Sequence, residues 1–263
     1  MTTAAARFSD TVLTNYLGTK SFTRAAAAGP LAGQVGVGHP LFADLSLGES
    51  RTCQMASVFF DLTKFTARTF WDDPEEVTML AHSVLCAFAE VVTDFGGHVL
   101  GLRGDGLYAG FGPVVSAEVC VAVAAIACAT AIDAIQNDLN PKLALRKISP
   151  IQARAGADFG RTSFIRSGSA EASEVNVIGF APNFAAKCEK AAASWEVVVG
   201  ETFASYIVDK ALLETHPGSP KRYTRVDETK SYGFSKYRWA KSLKWVDSTI
   251  DEIRGLPLEN LVM

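Results

Sequence analysis

Hydrophobic and polar positions in this chain switch between a period of two and a period near 3.6. Met55 to Phe60 is an apolar, partly β-branched run that ends at Asp61, which predicts a buried strand with a carboxylate at its C-terminal edge. Asp73-Pro74-Glu75-Glu76 predicts a helix start, because proline and acids suit a first turn, and the apolar rhythm carries that helix to about Phe95. Gly96-Gly97 breaks it. His98 to Arg103 and Leu107 to Phe111 flank Gly104-Asp105-Gly106, which predicts a β-hairpin. Ser116 to Leu139 reads as an Ala-rich helix, Ile151 to Asp158 as a strand, and Glu174 to Ile178 as a short strand or loop. Asn183 to Ala193 fits a helix and Trp195 to Val199 a strand, while Tyr223 to Leu243 alternates enough for one or two more. The order β-α-β-β-α-β-α-β predicts an α+β sandwich, a largely antiparallel sheet with covering helices.

The 263 residues suit one enlarged domain. Residues 1–52 read as a helical arm and a Gly/Ala-rich loop, 53–204 as the core, and 205–263 as an extension completing or flanking it. With 48% hydrophobic and 20% charged residues the chain can bury a sizeable core, which argues against disorder. A net charge of −3 without a basic stripe argues against a nucleic-acid partner. The most apolar stretch, Val119 to Ile132, reads as too short to cross a membrane, and MTTAAARFSD lacks the order of a signal peptide. Five scattered cysteines without a CxxC pair read as reduced thiols, so a cytoplasmic location is expected. His39, His82, His98 and His216 show no metal spacing, and Gly33 to Gly38 lacks the Lys-Ser/Thr of a P-loop.

Asp61 and Asp105 each stand where an apolar strand meets a turn. Singly, each has an ordinary explanation, a helix cap for Asp61 and turn chemistry for Asp105. Their flanks change the weighting. Phe59-Phe60-Asp61-Leu62-Thr63-Lys64-Phe65-Thr66 and Gly101-Leu102-Arg103-Gly104-Asp105-Gly106 resemble, in that order, the two metal motifs of class III nucleotidyl cyclase catalytic domains. Asn176 to Lys187 resembles the segment that supplies that family's active-site asparagine and cation, and the likeness spans roughly residues 55–204.

The resemblance implies a palm-type, ferredoxin-like sandwich that converts a nucleoside triphosphate into its 3′,5′-cyclic monophosphate and pyrophosphate. Asp61, Asp105 and the Leu62 carbonyl would hold two Mg²⁺ or Mn²⁺ ions, hard cations that favour oxygen donors. Backbone N–H groups of Leu62, Thr63, Lys64 and Phe65, with the Thr66 hydroxyl, would cradle phosphates. Asn183 would orient the ribose, although it also reads as a helix N-cap after Pro182. Lys187 would steady the reacting phosphate where the family usually carries Arg. Lys keeps the charge but loses the bidentate fork, and Arg161, Arg166 and Arg103 are candidates to compensate. Lys230 or Lys236 would grip the triphosphate. The family also implies a head-to-tail homodimer, Asp61 and Asp105 from one subunit and Asn183 and Lys187 from the other.

Two further positions read the base in that family, and here they are Gly101 and Asn176. Gly101 offers no side chain, and strand alternation puts Arg103 on the same face. Arg donates only, which suits pyrimidine carbonyls, and Asn176, both donor and acceptor, can pair the N3 and O4 edge of uracil or the corresponding edge of cytosine. The pattern resembles the pyrimidine cyclases of bacterial anti-phage defence. UTP is favoured over CTP because uracil offers Arg a second carbonyl acceptor, worth about 1–2 kcal/mol. ATP remains open if Arg103 merely pairs with a neighbouring acid. A catalytically dead cyclase fold acting as a nucleotide sensor is the reading from another class. A diguanylate-forming enzyme is disfavoured by the hairpin Arg103-Gly104-Asp105-Gly106-Leu107.

Overall fold

A computed structural model describes residues 3–22 and 37–255. Helix α1 is Thr3–Phe22, and the Gly/Ala-rich loop expected after it lies largely outside the described residues. Strand β1 (Ser50–Thr63) leads into the short helix α2 (Phe65–Trp71), and α3 (Pro74–Asp94) follows. The hairpin strands β2 (His98–Arg103) and β3 (Gly106–Phe111) precede α4 (Ala117–Asp133), which continues through a π turn into α5 (Asn140–Ala144). Strand β4 (Gln152–Gly168) folds back as β5 (Ser173–Ile178), then come α6 (Phe180–Ala191), β6 (Val197–Gly200) and α7 (Glu201–Tyr206). The tail supplies β7 (Leu213–Thr215), the separate hairpin β8 (Lys221–Arg225) and β9 (Glu228–Tyr232), β10 (Phe234–Tyr237) and α8 (Val246–Gly255).

The main sheet runs β2-β3-β1-β4-β6-β10-β7, with β5 added on β4. Every pairing is antiparallel except β4 with β6, which α6 connects. The largely antiparallel α+β sheet expected from the sequence is therefore present. Strands β1 and β4 run longer than their apolar runs, because residues 50–54 and 160–168, mostly polar or glycine, still pair with neighbouring strands.

The sheet's alternation divides the molecule. Ala56, Val58, Phe60 and Leu62 of β1 and Ala153, Ala155, Ala157 and Phe159 of β4 face the main core, under α1, α3 and α4. Asp61 and Arg154 lie on the opposite face, which α6 crosses. Gly156 permits that crossing: a Cβ there would stand 1.9 Å from the Glu189 amide nitrogen. Helix α3 begins as the sequence predicts, its Asp73 side chain accepting N–H bonds from Glu75 and Glu76. Helix α1 docks on the core through Phe8, Val12 and Tyr16, with Phe8 edge-on to Phe88.

Helix α4 is apolar all round because it is buried all round. It corrects the expectation of a stretch too short to span a membrane. The continuous helix Ala117–Ala144 is long and apolar enough to cross one, and so is α3, but 94% of the first helix's most apolar window is buried within the fold.

Candidate active site

Phe60 of β1 pairs with Leu107 of β3, which sets Asp61 beside the start of β3. A Cβ on Gly106 would sit 3.4 Å from Asp61 Oδ1, so the hairpin backbone closes directly on this carboxylate. Asp105 occupies the hairpin turn, half-buried. Burial pushes its carboxyl above the usual range, and the neighbouring negative charge of Asp61 adds to the rise. The two carboxylates brought together by the sequence motifs are thus electrostatic neighbours in the structure.

Two residues that sequence reasoning missed complete this face. Arg154, directly opposite Asp61 in the ladder, donates to Asp61 Oδ2 from Nε at 3.0 Å and from Nη2 at 2.7 Å. Glu189 of α6 brings Oε1 to 2.6 Å from the same Nη2 in ionic contact, and its carboxyl also neighbours that of Asp61. Burial raises the Glu189 carboxyl, and the Arg154 charge opposes that rise. The available signal was one Arg within the small-residue run Ala153-Arg154-Ala155-Gly156-Ala157.

Residues after Asp61 form a tight turn. Leu62 and Phe65 are buried in the core, and Thr63 Oγ1 is 2.6 Å from Ser194 Oγ. Lys64 takes a left-handed conformation, φ 60°, and heads α2 without a side-chain cap. A non-glycine residue there is strained. Thr66 is exposed. The first N–H groups of α2 therefore have no side-chain cap.

These residues fit divalent cations. Arg154 takes only Asp61 Oδ2 and leaves Oδ1 on the side of Asp105. Oxygen donors suit Mg²⁺ and Mn²⁺, which keep few protein ligands and share the rest with substrate phosphates. Among the described residues no group of three His, Cys, Asp or Glu side chains could hold a metal by itself.

Asn183 and Lys187 are exposed on α6. The helix starts at Phe180, earlier than expected, so Asn183 is no N-cap: its own N–H bonds to the Gly179 carbonyl at 3.3 Å. Lys187 and Glu189 are two residues apart, about 200° around the helix. With Glu189 turned toward Arg154 and Asp61, Lys187 points away from its own chain's carboxylates. Its Nζ instead lies 5.2 Å from the centre of the Tyr223 ring on β8.

Gly101, Arg103 and Asn176 line one cavity of about 920 Å³. Val37, Gly38, His39, Pro40 and Ala43 also line it, and the His39 ring contacts the Gly112 carbonyl at 2.8 Å and accepts from the Leu41 N–H. Arg166 also lines it but spends its guanidinium on the Leu45 and Ala43 carbonyls. Arg161 stands seven residues from Arg154 along β4, about 23 Å away and on the other face. It cannot serve Asp61 of its own chain. Lys236 is ion-paired with Glu196, and Lys230 pairs with Glu228 at 3.0 Å on the exposed hairpin.

No protein-family model matches the chain, and no curated protein matches it by sequence. Solved structures do. The guanylyl cyclase Cya2 superposes with a TM-score of 0.60 at 18% identity, over 73% of this chain and 94% of that one. The adenylyl cyclase CyaB from P. aeruginosa gives 0.58 at 18%, over 72% and 95%. A class III adenylyl cyclase-like ATP-binding protein from Pseudomonas aeruginosa gives 0.57 at 18%, over 74% of this chain and 44% of that one. The chain has the α+β fold of adenylyl and guanylyl cyclase catalytic domains.

Proposed function

We propose that this protein is a nucleotide cyclase that turns UTP into 3′,5′-cyclic UMP and pyrophosphate. The observation that carries the reading is the adjacency of Asp61 and Asp105 at two strand ends, with Arg154 beside them and an uncapped helix start after them. In the reaction the ribose 3′-oxygen bonds to the α-phosphorus, the bond from that phosphorus to the pyrophosphate oxygen breaks, and the 3′-hydroxyl proton leaves to solvent. Two Mg²⁺ or Mn²⁺ ions held by Asp61, Asp105 and the Leu62 carbonyl would lower the charge cost of that step. Arg154, ion-paired with Asp61 and Glu189, holds the Asp61 carboxylate in place beside Asp105.

The orientation of Asn183 and Lys187, away from the same chain's carboxylates, supports a shared site. A second copy in a head-to-tail homodimer would supply them. The preference for UTP is supported by the shared cavity of Gly101, Arg103 and Asn176. Among the described residues the Arg103 guanidinium has no counter-ion, so it is free to meet carbonyl oxygens. The resemblance to pyrimidine cyclases supports a role in anti-phage signalling, and the free cysteines support a cytoplasmic location.

The test is direct. The protein is incubated with ATP, GTP, CTP or UTP and Mn²⁺, and pyrophosphate and cyclic product are measured. Cyclic UMP as the dominant product is expected. Preference for ATP or GTP overturns the pyrimidine assignment, and preference for CTP overturns only the choice of uracil. Nucleotide binding without pyrophosphate release favours a second reading, a nucleotide sensor, to which the Lys at position 187 and the Arg already paired to Asp61 lend support.

A further inference from the structure

At the far end of β1 and β4 from Asp61 lies a second cavity, of about 740 Å³. Four aromatic rings wall it as two edge-to-face pairs. Phe159 and Tyr206 have ring centres 5.1 Å apart, and Phe180 and Tyr232 4.8 Å. Among the described residues the only charged side chain on its lining is Arg161, and no Asp or Glu lines it. Among the described residues the Arg161 guanidinium has no hydrogen bond or ion pair, whereas Arg154 and Arg166 of the same strand are both engaged. Two thiols, Cys53 and Cys120, also face the cavity, and burial pushes them up to about 11 and about 12. They are neutral at physiological pH and do not compensate the arginine.

An uncompensated cation at the rim of an aromatic pocket selects its ligand by chemistry. Arg161 is exposed, so a neutral apolar ligand gains nothing from its charge, and a cation is repelled. A small inorganic anion leaves the aromatic walls unfilled. The volume is that of a small-molecule site, mostly apolar with few polar groups. We propose that this cavity binds a small aromatic monoanion, its carboxylate or sulfonate on the Arg161 guanidinium and its ring against Phe159, Phe180, Tyr206 and Tyr232. Charge-assisted bonding to arginine and edge-to-face ring contact supply the affinity.

The location gives the site a consequence. Phe180 and Ala181, both on the lining, are the first residues of α6, the helix that carries Asn183 and Lys187. An occupant therefore rests on the first turn of that helix, away from Asp61 and Asp105 of its own chain. The binding itself does not depend on the cyclase reading.

The test uses the full chain and 2-naphthoate as probe, with uncharged 2-naphthamide as the control, in titration calorimetry. Naphthoate is expected to bind in the millimolar range or tighter, and Arg161→Met to weaken it at least about tenfold, the loss of one charged hydrogen bond. Naphthamide should bind more weakly and be indifferent to Arg161→Met. Ala117→Phe, which fills the cavity from the half-exposed start of α4, should weaken both probes. Hydrogen exchange should slow at the first turn of α6 when naphthoate is present. Absence of naphthoate binding, or equal binding by the wild type and Arg161→Met, overturns the proposal.

Discussion

Arg154 Nη2 lies 2.7 Å from Asp61 Oδ2 across directly paired positions of β1 and β4, and the same nitrogen lies 2.6 Å from Glu189 on α6. One guanidinium thus ties a sheet carboxylate to the inner face of a helix. Arg154 and Asp61 keep about a quarter of their side-chain surface exposed, so solvent screens part of the attraction. Arg154→Met should destabilise the protein by about 1–3 kcal/mol in urea denaturation, mostly through the partner charges left behind. Adding Glu189→Gln should then cost little more, because the two substitutions break one network. Additive losses would show that Arg154 and Glu189 act independently.

Asp61→Asn and Asp105→Asn each keep the size and shape of the side chain and remove the charge that would hold a metal. Cyclic nucleotide formation should fall by about three orders of magnitude or more in each, the equivalent of several kcal/mol of transition-state stabilisation. Asp105→Asn should also melt no lower than the wild type, because the native fold already disfavours its charge. A properly folded variant with near-normal turnover in Mn²⁺ removes that residue from the reaction.

The split between Asp61 and Lys187 predicts complementation. Asp61→Asn and Lys187→Met should each be inactive alone, and mixing them should restore activity through heterodimers that hold one intact site. Subunit exchange is followed in parallel with two differently tagged copies. Proven exchange without recovery of activity means that all four residues act within one chain, or that Lys187 has no part.

Much of this was legible in the sequence where one residue type had one physical job. Pro74 and the acids after it marked the start of α3, and Gly104-Asp105-Gly106 marked the hairpin. The cysteines were read as reduced, and the described ones are free. Strand ends were less legible, because Arg51 and Thr52 join β1 through backbone pairing that no side-chain pattern announces. Asn183 looked like a cap because Pro182 precedes it, yet proline also suits a first turn, and the helix begins at Phe180. Arg154 and Glu189 were missed for a different reason. They are 35 positions apart and meet only because Gly156 lets α6 lie against β4.

The last prediction concerns Asp158, which is fully buried on the α6 face of β4. Its Oδ1 accepts from the Phe159 N–H at 2.9 Å, and the Tyr232 hydroxyl donates to Oδ2 at 3.1 Å. Burial nevertheless pushes the carboxyl up to about 7, and the charge of Glu201 on α7 adds to the rise. The other titratable groups facing it, Tyr232 on β9 and Cys188 on α6, are raised by burial and stay neutral through this range. An acid whose folded value exceeds its ordinary 3.8 is protonated in the fold while already ionised in the unfolded chain. The folded state then binds more protons between about pH 4 and pH 7, so its contribution to stability falls as pH rises through that window and is level above it. His39 and His98 act the other way, since burial lowers both and the fold loses stability as pH drops below 6.5. Comparison with Asp158→Asn cancels that imidazole contribution and isolates the carboxyl. The amide keeps an oxygen for the Phe159 N–H and can donate to the Tyr232 hydroxyl. Urea denaturation at pH 5 and pH 8 should therefore show the Asn variant gaining on the wild type by a few kcal/mol at the higher pH, roughly 1.4 kcal/mol per unit of displacement. Parallel stability curves between pH 5 and pH 8 would mean that Asp158 is ionised throughout, held by its N–H donors against the cost of burial.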